Sequence, residues 1–220
     1  MFSIFLASPI KNIIAVSEQY SIKNVEKYTD EFGYLYILGE IKNESKNPLV
    51  NITLIGNFYD RNGKLMDEYY RYPEITTLNP FENSPFQIIY LDPSTSNKVN
   101  NYTITAKYQT GKIKPAELIV ESLNDKFDIN GFYYINGNLK NNGTEEANNV
   151  TVIATIYDKD GKVIGLTKAI TVPFSIPSKG FGAFSLVITF KSQAPKIQDF
   201  SVKAYSDKYL SQTVTTKNNS

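Results

Sequence analysis

Cysteine, histidine and tryptophan are absent from the 220 residues, and methionine and arginine occur twice each. Without cysteine there is no disulfide and no thiol nucleophile; without histidine there is no imidazole base, and the two absences together remove zinc and copper sites of nitrogen and sulfur type. Most enzyme mechanisms lose a member, so neither catalysis, nor a metal, nor a cofactor is expected. Lysine plus arginine number 23 against 22 acids, and the net charge of +1 provides no electrostatic footprint for nucleic acid or an anionic lipid surface. Arginine is confined to Arg61 and Arg71, which leaves few bidentate donors for phosphates or bases. Glycine-rich phosphate loops of either nucleotide-binding kind are missing. No apolar run reaches the about 20 residues that span a bilayer.

What is present is a globular composition, 41% hydrophobic and 13% aromatic, in a chain long enough for one large or two modest domains. The chain aligns with itself at an offset of 98 residues without a gap. The segment from Tyr36, YILGEIKNESKNPLVNITLIGNFYDRNGKLM, lies over that from Tyr134, YINGNLKNNGTEEANNVTVIATIYDKDGKVI, with 12 of 31 positions identical. Within each copy the hydrophobic period is two. Leu35, Ile37, Gly39 and Ile41 alternate with Tyr34, Tyr36, Leu38 and Glu40, and Tyr133, Ile135, Gly137 and Leu139 repeat the pattern. The first set should face a core, with the small Gly39 and Gly137 leaving room for Phe86 and Phe184. Strands separated by Gly, Asn and Pro turns, with no sustained 3.6-residue period, predict an all-β protein of two tandem immunoglobulin-like β-sandwich domains. Core strands are expected near 33–43, 50–59, 86–91 and 101–108 and again 98 residues on.

The reading divides the chain into 1–17, a signal peptide or an N-terminal arm; 18–110, the first sandwich; 111–115, a short linker permitting modest hinge motion; 116–210, the second sandwich; and 211–220, a disordered polar tail without a lipid-anchor signal. The leader reading rests on the apolar opening and on Ala15-Val16-Ser17; Pro9, Lys11 and Asn12 interrupt it.

After the third of the alternating segments stand NFYDRNGK (57–64) and TIYDKDGK (155–162), preceded by GEIKNES and GNLKNNG. This pattern of G-x-hydrophobic-K-N, a long strand and aromatic-D-x-x-G-K resembles the FxLYD-type immunoglobulin-like domains of exported bacterial and archaeal proteins. Gly56 and Ala154 stand where the signature has its phenylalanine, Phe58 and Ile156 where it has leucine. The resemblance implies a secreted or cell-envelope binding module without catalytic residues.

Several groups are candidates for function. Asp60 to Gly63 and Asp158 to Gly161 each bring oxygen ligands together but lack the sixth-position Gly and terminal Glu of a calcium loop; hairpin turns, with Asp accepting backbone hydrogen bonds and Gly at positive φ, are expected. Sequons occur at Asn43, Asn51, Asn101, Asn142, Asn149 and Asn218, six where chance predicts about 3.4. Tyr69, Tyr70, Arg71 and Tyr72 have no aromatic counterparts in the second copy, nor do Phe174 and Phe181 in the first. The common core does not require them. They are candidates for a ligand surface toward a protein or glycan at the cell surface, or for contacts between the domains, or for an edge strand that covers its own sheet. Glu68, Glu74 and Glu82 are near in sequence, but none recurs as an acid 98 residues on, and no acid pair of glycosidase type is expected from them.

Overall fold

The computed structural model describes residues 13–14, 18–189 and 194–217. Fourteen strands are present among them: β1 (Ile13–Ile14), β2 (Tyr20–Thr29), β3 (Leu35–Asn43), β4 (Leu49–Tyr59), β5 (Leu65–Arg71), β6 (Asn83–Tyr90), β7 (Asn101–Thr110), β8 (Leu118–Phe127), β9 (Tyr133–Asn141), β10 (Thr151–Tyr157), β11 (Val163–Ile170), β12 (Phe181–Ile188), β13 (Asp199–Tyr205) and β14 (Val214–Lys217). They form four sheets, ordered β1-β7-β4-β5, β2-β3-β6, β11-β10-β13-β14 and β12-β9-β8. The first two enclose one core and the last two another, giving the two immunoglobulin-like sandwiches expected from the period-two pattern. No α-helix occurs among the described residues, and no helix there is long and apolar enough to cross a membrane.

The alternation sets the inner faces as expected. Leu35, Ile37 and Ile41 pack with Ile52, Leu54, Phe58, Phe86 and Ile88 in one core. Tyr133, Ile135 and Leu139 pack with Val152, Ile156, Phe184 and Leu186 in the other. A Cβ on Gly39 would lie 2.8 Å from Phe86 Cζ and one on Gly137 2.6 Å from Phe184 Cζ, so each glycine is the space its aromatic partner fills. Among the described residues, ten have positive φ and fall into five pairs separated by 98 positions: 24 and 122, 33 and 131, 51 and 149, 63 and 161, 81 and 179. Asn24 and Ser122 mark bulges in β2 and β8, where the register slips between Lys23 and Glu26 and between Glu121 and Asn124. These bulges break the alternation, which is why β2 and β8 were not among the expected strands.

One boundary is corrected. The tail assigned as disordered from 211 instead supplies β14, which pairs antiparallel with β13 in register Phe200 to Thr216, and Ser211 is fully buried. Its polar composition hid an edge strand. In the first sandwich the corresponding edge of β7 is taken by β1, which runs parallel to it at Thr103 and Ile104; the other residues of the leader reading, and the sequon at Asn218, lie outside the described residues.

The joint between the sandwiches is hydrogen-bonded on both sides. Lys114 N donates to Asn79 Oδ1 at 2.9 Å and its carbonyl accepts from Asn79 Nδ2 at 2.8 Å, while Leu210 N donates to Pro115 O. The outer face of β2-β3-β6 lies against the outer face of β11-β10-β13, so the four sheets form one stack. That contact reverses the expectation for Leu38 and Glu40, which alternate outward yet are buried, Leu38 to 1% exposure. Their counterparts Asn136 and Asn138, on the free outer face of the second sandwich, remain partly or fully exposed.

Candidate interaction surface

Because β5 alternates, its aromatic run splits between two faces. Tyr69 turns inward: its ring centroid is 5.7 Å from that of Phe58 and 5.9 Å from that of Tyr90, and its hydroxyl accepts the N–H of Leu91 at 3.2 Å. Burial, more than any neighbouring charge, raises its phenol pKa above the ordinary value. Tyr69 therefore caps the core. Tyr70 and, two residues on, Tyr72 are 52% and 69% exposed. Tyr70 shares the outer face with Ile55 and donates to Glu68 at 2.8 Å; that hydrogen bond favours its protonated form and raises its pKa. The Lys107 ammonium sits 5.9 Å from the Tyr70 ring centroid. Arg71 lies 5.5 Å from the Tyr69 ring and donates through Nη1 to the Tyr70 carbonyl. The result is a sheet face carrying the exposed Tyr70 phenol beside a cation, with a second exposed phenol, Tyr72, just past the strand's end.

Phe174 and Phe181 do not join this group. Both are about half exposed, and Phe181 belongs to the outer face of β12-β9-β8, with the Lys140 ammonium 5.6 Å from its ring. That sheet is the opposite end of the stack from β5. The six residues singled out in the sequence thus split into an inward Tyr69 with Arg71 over its ring, an outward Tyr70 with Tyr72 exposed just past the end of β5, and Phe174 and Phe181, which lie in the second sandwich.

The seam between the sandwiches holds functional-looking groups that sequence reasoning missed. Glu40, buried on β3, accepts from Asn24 Nδ2 at 2.6 Å, Asn83 Nδ2 at 2.5 Å and the Tyr157 hydroxyl at 2.8 Å. Lys203, buried on β13, pairs with Glu82 at 3.0 Å and donates to Asn83 O at 3.3 Å. Burial drives the Lys203 pKa down against the pull of Glu82, and burial followed by the Glu40 charge drives the Tyr157 phenol up. Lys162–Glu26 at 3.0 Å and Lys168–Glu74 at 2.8 Å flank this network. Glu74 and Glu82 are therefore ion-paired across the seam, and Glu68 is held by Tyr70. The available signal was the difference between copies on a nominally solvent-facing strand: Leu38 and Glu40 against Asn136 and Asn138.

The sequons separate by burial. Asn43 is fully buried, its Nδ2 2.8 Å from Asn47 O, 3.1 Å from Leu78 O and 3.1 Å from Asn79 O, which leaves no room for a glycan. Its counterpart Asn141 makes the same three bonds to Glu145, Ile176 and Pro177 carbonyls. This asparagine, the N of the K-N pair in both motifs, is a structural pin. Asn101 is also buried, whereas Asn51, Asn142 and Asn149 are exposed. Asn51 and Asn149 occupy the left-handed region, which asparagine tolerates better than most residues.

The D-x-x-G turns are hairpin turns as expected, and the structure builds the same turn four times. Asp30, Asp60, Asp128 and Asp158 each accept through Oδ1 from the N–H two and four residues on, and the glycine at the fourth position has φ between +74° and +88°. Among the described residues no group of three or more acidic, His or Cys side chains is placed to hold a metal.

No family model and no curated protein matches this chain. Among solved structures it is similar to an exo-chitosanase of Amycolatopsis orientalis (10% identity, TM-score 0.32, 89% of this chain and 26% of that one). It is also similar to a red sea bream transglutaminase (12%, 0.32, 92% and 31%) and to β-glucuronidase 2 of Bacteroides uniformis (14%, 0.32, 90% and 28%). The chain spans about a quarter to a third of the length of these proteins. Likenesses this distant carry no argument about activity.

Proposed function

We propose that the chain is a non-enzymatic binding or adhesion module of the cell surface, presenting the outer face of β5-β4-β7 to a protein or glycan. The observation that carries this reading is Tyr70, exposed beside Lys107 on a sheet face whose equivalent in the second sandwich, β11-β10-β13, is a docking surface, with Tyr72 exposed just past the end of the same strand. Exposed tyrosines on a rigid support suit both protein hot spots and stacking on sugars. An extracytoplasmic setting and kinship with FxLYD-type domains belong to the same proposal, supported by the K-N pin and the aromatic-D-x-x-G-K turn that both sandwiches share.

The test is partner capture from a cell-surface extract with wild type and with a Tyr70→Ala/Tyr72→Ala variant of matched stability. Loss of a specific partner, by about 2 kcal/mol or more per hot-spot residue, supports the surface. Identical partner lists refute it. A second reading, a structural spacer, is favoured by the seam: two sandwiches joined by a buried contact between them make a stiff unit that could hold another component at a fixed distance. Under that reading the double variant changes nothing but stability.

A further inference from the structure

The two faces of the stack that no other described residue covers are the equivalents of the two faces that meet in the seam. The seam joins the outer face of β2-β3-β6 to that of β11-β10-β13; the first recurs, 98 residues on, as the free face of β8-β9-β12, and the second, 98 residues back, as the free face of β5-β4-β7. We infer that these faces dock on each other between molecules, so that the partner of the Tyr70 surface is a second copy of this chain, arranged head to tail. This rests on the binding-module reading above and names its partner.

The residues at the seam positions and at their equivalents on the free faces complement one another. Lys168 on β11 meets Glu74; on the free faces these positions hold Tyr70 and Val172, 52% and 75% exposed. The backbone equivalence holds at both: Ile153 pairs with Lys168 as Ile55 does with Tyr70, and Glu74 N donates to Pro85 O as Val172 N does to Ala183 O. A charged pair inside one molecule is thus replaced by an aromatic and an aliphatic side chain left in water. The seam bond from Tyr157 to Glu40 becomes Tyr59 opposite Asn138, which still offers a donor and an acceptor. Lys162 and Glu26 become Lys64 and Asn124, so no like charges oppose one another. Of the aromatics without counterparts, Tyr70 and Phe181 fall on positions that serve docking in the other copy, where Lys168 pairs with Glu74 and the Asn83 carbonyl accepts from Lys203. Asn136 in place of Leu38 makes the intermolecular contact more polar and weaker than the seam. A heterologous contact of this kind does not close on itself as a two-fold dimer does, so association proceeds past the dimer.

Sedimentation velocity of the full chain from ~1 μM to ~1 mM covers the range of a weak to moderate contact. The sedimentation coefficient should rise with concentration. Tyr70→Lys alone and Val172→Glu alone should each weaken association by about tenfold or more, since each sets a charge against an apolar group. An equimolar mixture of the two variants should recover it, because the introduced ammonium and carboxylate recreate the seam pair. Both positions are exposed, and unchanged circular dichroism and urea midpoints verify folding. A wild type that stays monomeric throughout overturns the inference, as does a mixture no better than its components. If the wild type is monomeric while capture of a surface partner still depends on Tyr70 and Tyr72, the binding surface stands and self-docking falls.

Discussion

Replacing Asn43 by alanine tests whether the recurrent K-N pair is a structural device. The side chain is fully buried and its amide nitrogen lies within 3.1 Å of three carbonyl oxygens, from Asn47, Leu78 and Asn79. Its Oδ1 accepts from Ser45 N at 2.9 Å and from Ser45 Oγ at 2.8 Å. Alanine removes all of these and leaves buried carbonyls without their donor. The amide has two N–H groups to share among the three carbonyls, so four bonds' worth is lost, about 4 kcal/mol at about 1 kcal/mol net for each. Asn141→Ala, with the same three carbonyl contacts, should lose a similar amount. Asn43→Asp should do worse at neutral pH, since it turns a carboxylate toward three carbonyls. Urea denaturation followed by circular dichroism measures all three, and the two alanine variants should shift the midpoint without a large change in slope. Losses below about 0.5 kcal/mol for both alanine variants would refute the pin, because that is the range of a surface substitution.

Other outcomes follow from the seam and from one carboxylate. Leu38→Asn, which imports the residue of position 136, should cost about 2–4 kcal/mol in urea denaturation by removing buried apolar surface and burying an amide. Tyr157→Phe deletes the donor to Glu40 at 2.8 Å and should cost about 1.5–3 kcal/mol, the range for a hydrogen bond to a charged group, whereas Tyr59→Phe at the equivalent free position should be nearly silent. Glu44 is held at a pKa of about 2, against 4.5 ordinarily, by Lys23, then Ser21 and Lys42. A carboxylate with a depressed folded-state pKa stabilises above its unfolded pKa, so this contribution should fade as the pH drops from about 4.5 to about 2. Glu44→Gln should flatten that part of the stability profile measured by thermal melts.

The fold was legible where one face of a strand is buried in its own sandwich, because a period of two then survives in the residues. Strands β3, β4, β7 and their counterparts fall where the alternation puts them. It was not legible in β2 and β8, whose bulges shift the phase, nor in β14, whose residues are polar because it is an edge. The candidate surface was half legible. Comparing copies isolated Tyr70 and Tyr72, but composition alone could not separate them from Tyr69, which strand alternation sends into the core. The seam escaped because Leu38, Glu40 and Lys203 look like solvent-facing residues until a second sandwich covers them. In the same way Asn43 has the sequence of a glycan acceptor and the burial of a core residue.

The most direct test of the proposed surface is a hydrogen–deuterium exchange footprint of the full chain with the partner it captures. Protection should concentrate in 53–59, 65–72 and 103–108, the strands of the Tyr70 face, joined by 118–127, 133–141 and 181–188 where the partner is a second copy, with 151–157 and 199–205 unchanged because the seam already covers them. Protection confined to the turns at 30–33, 60–63, 128–131 and 158–161, with no change along β5, would contradict the account.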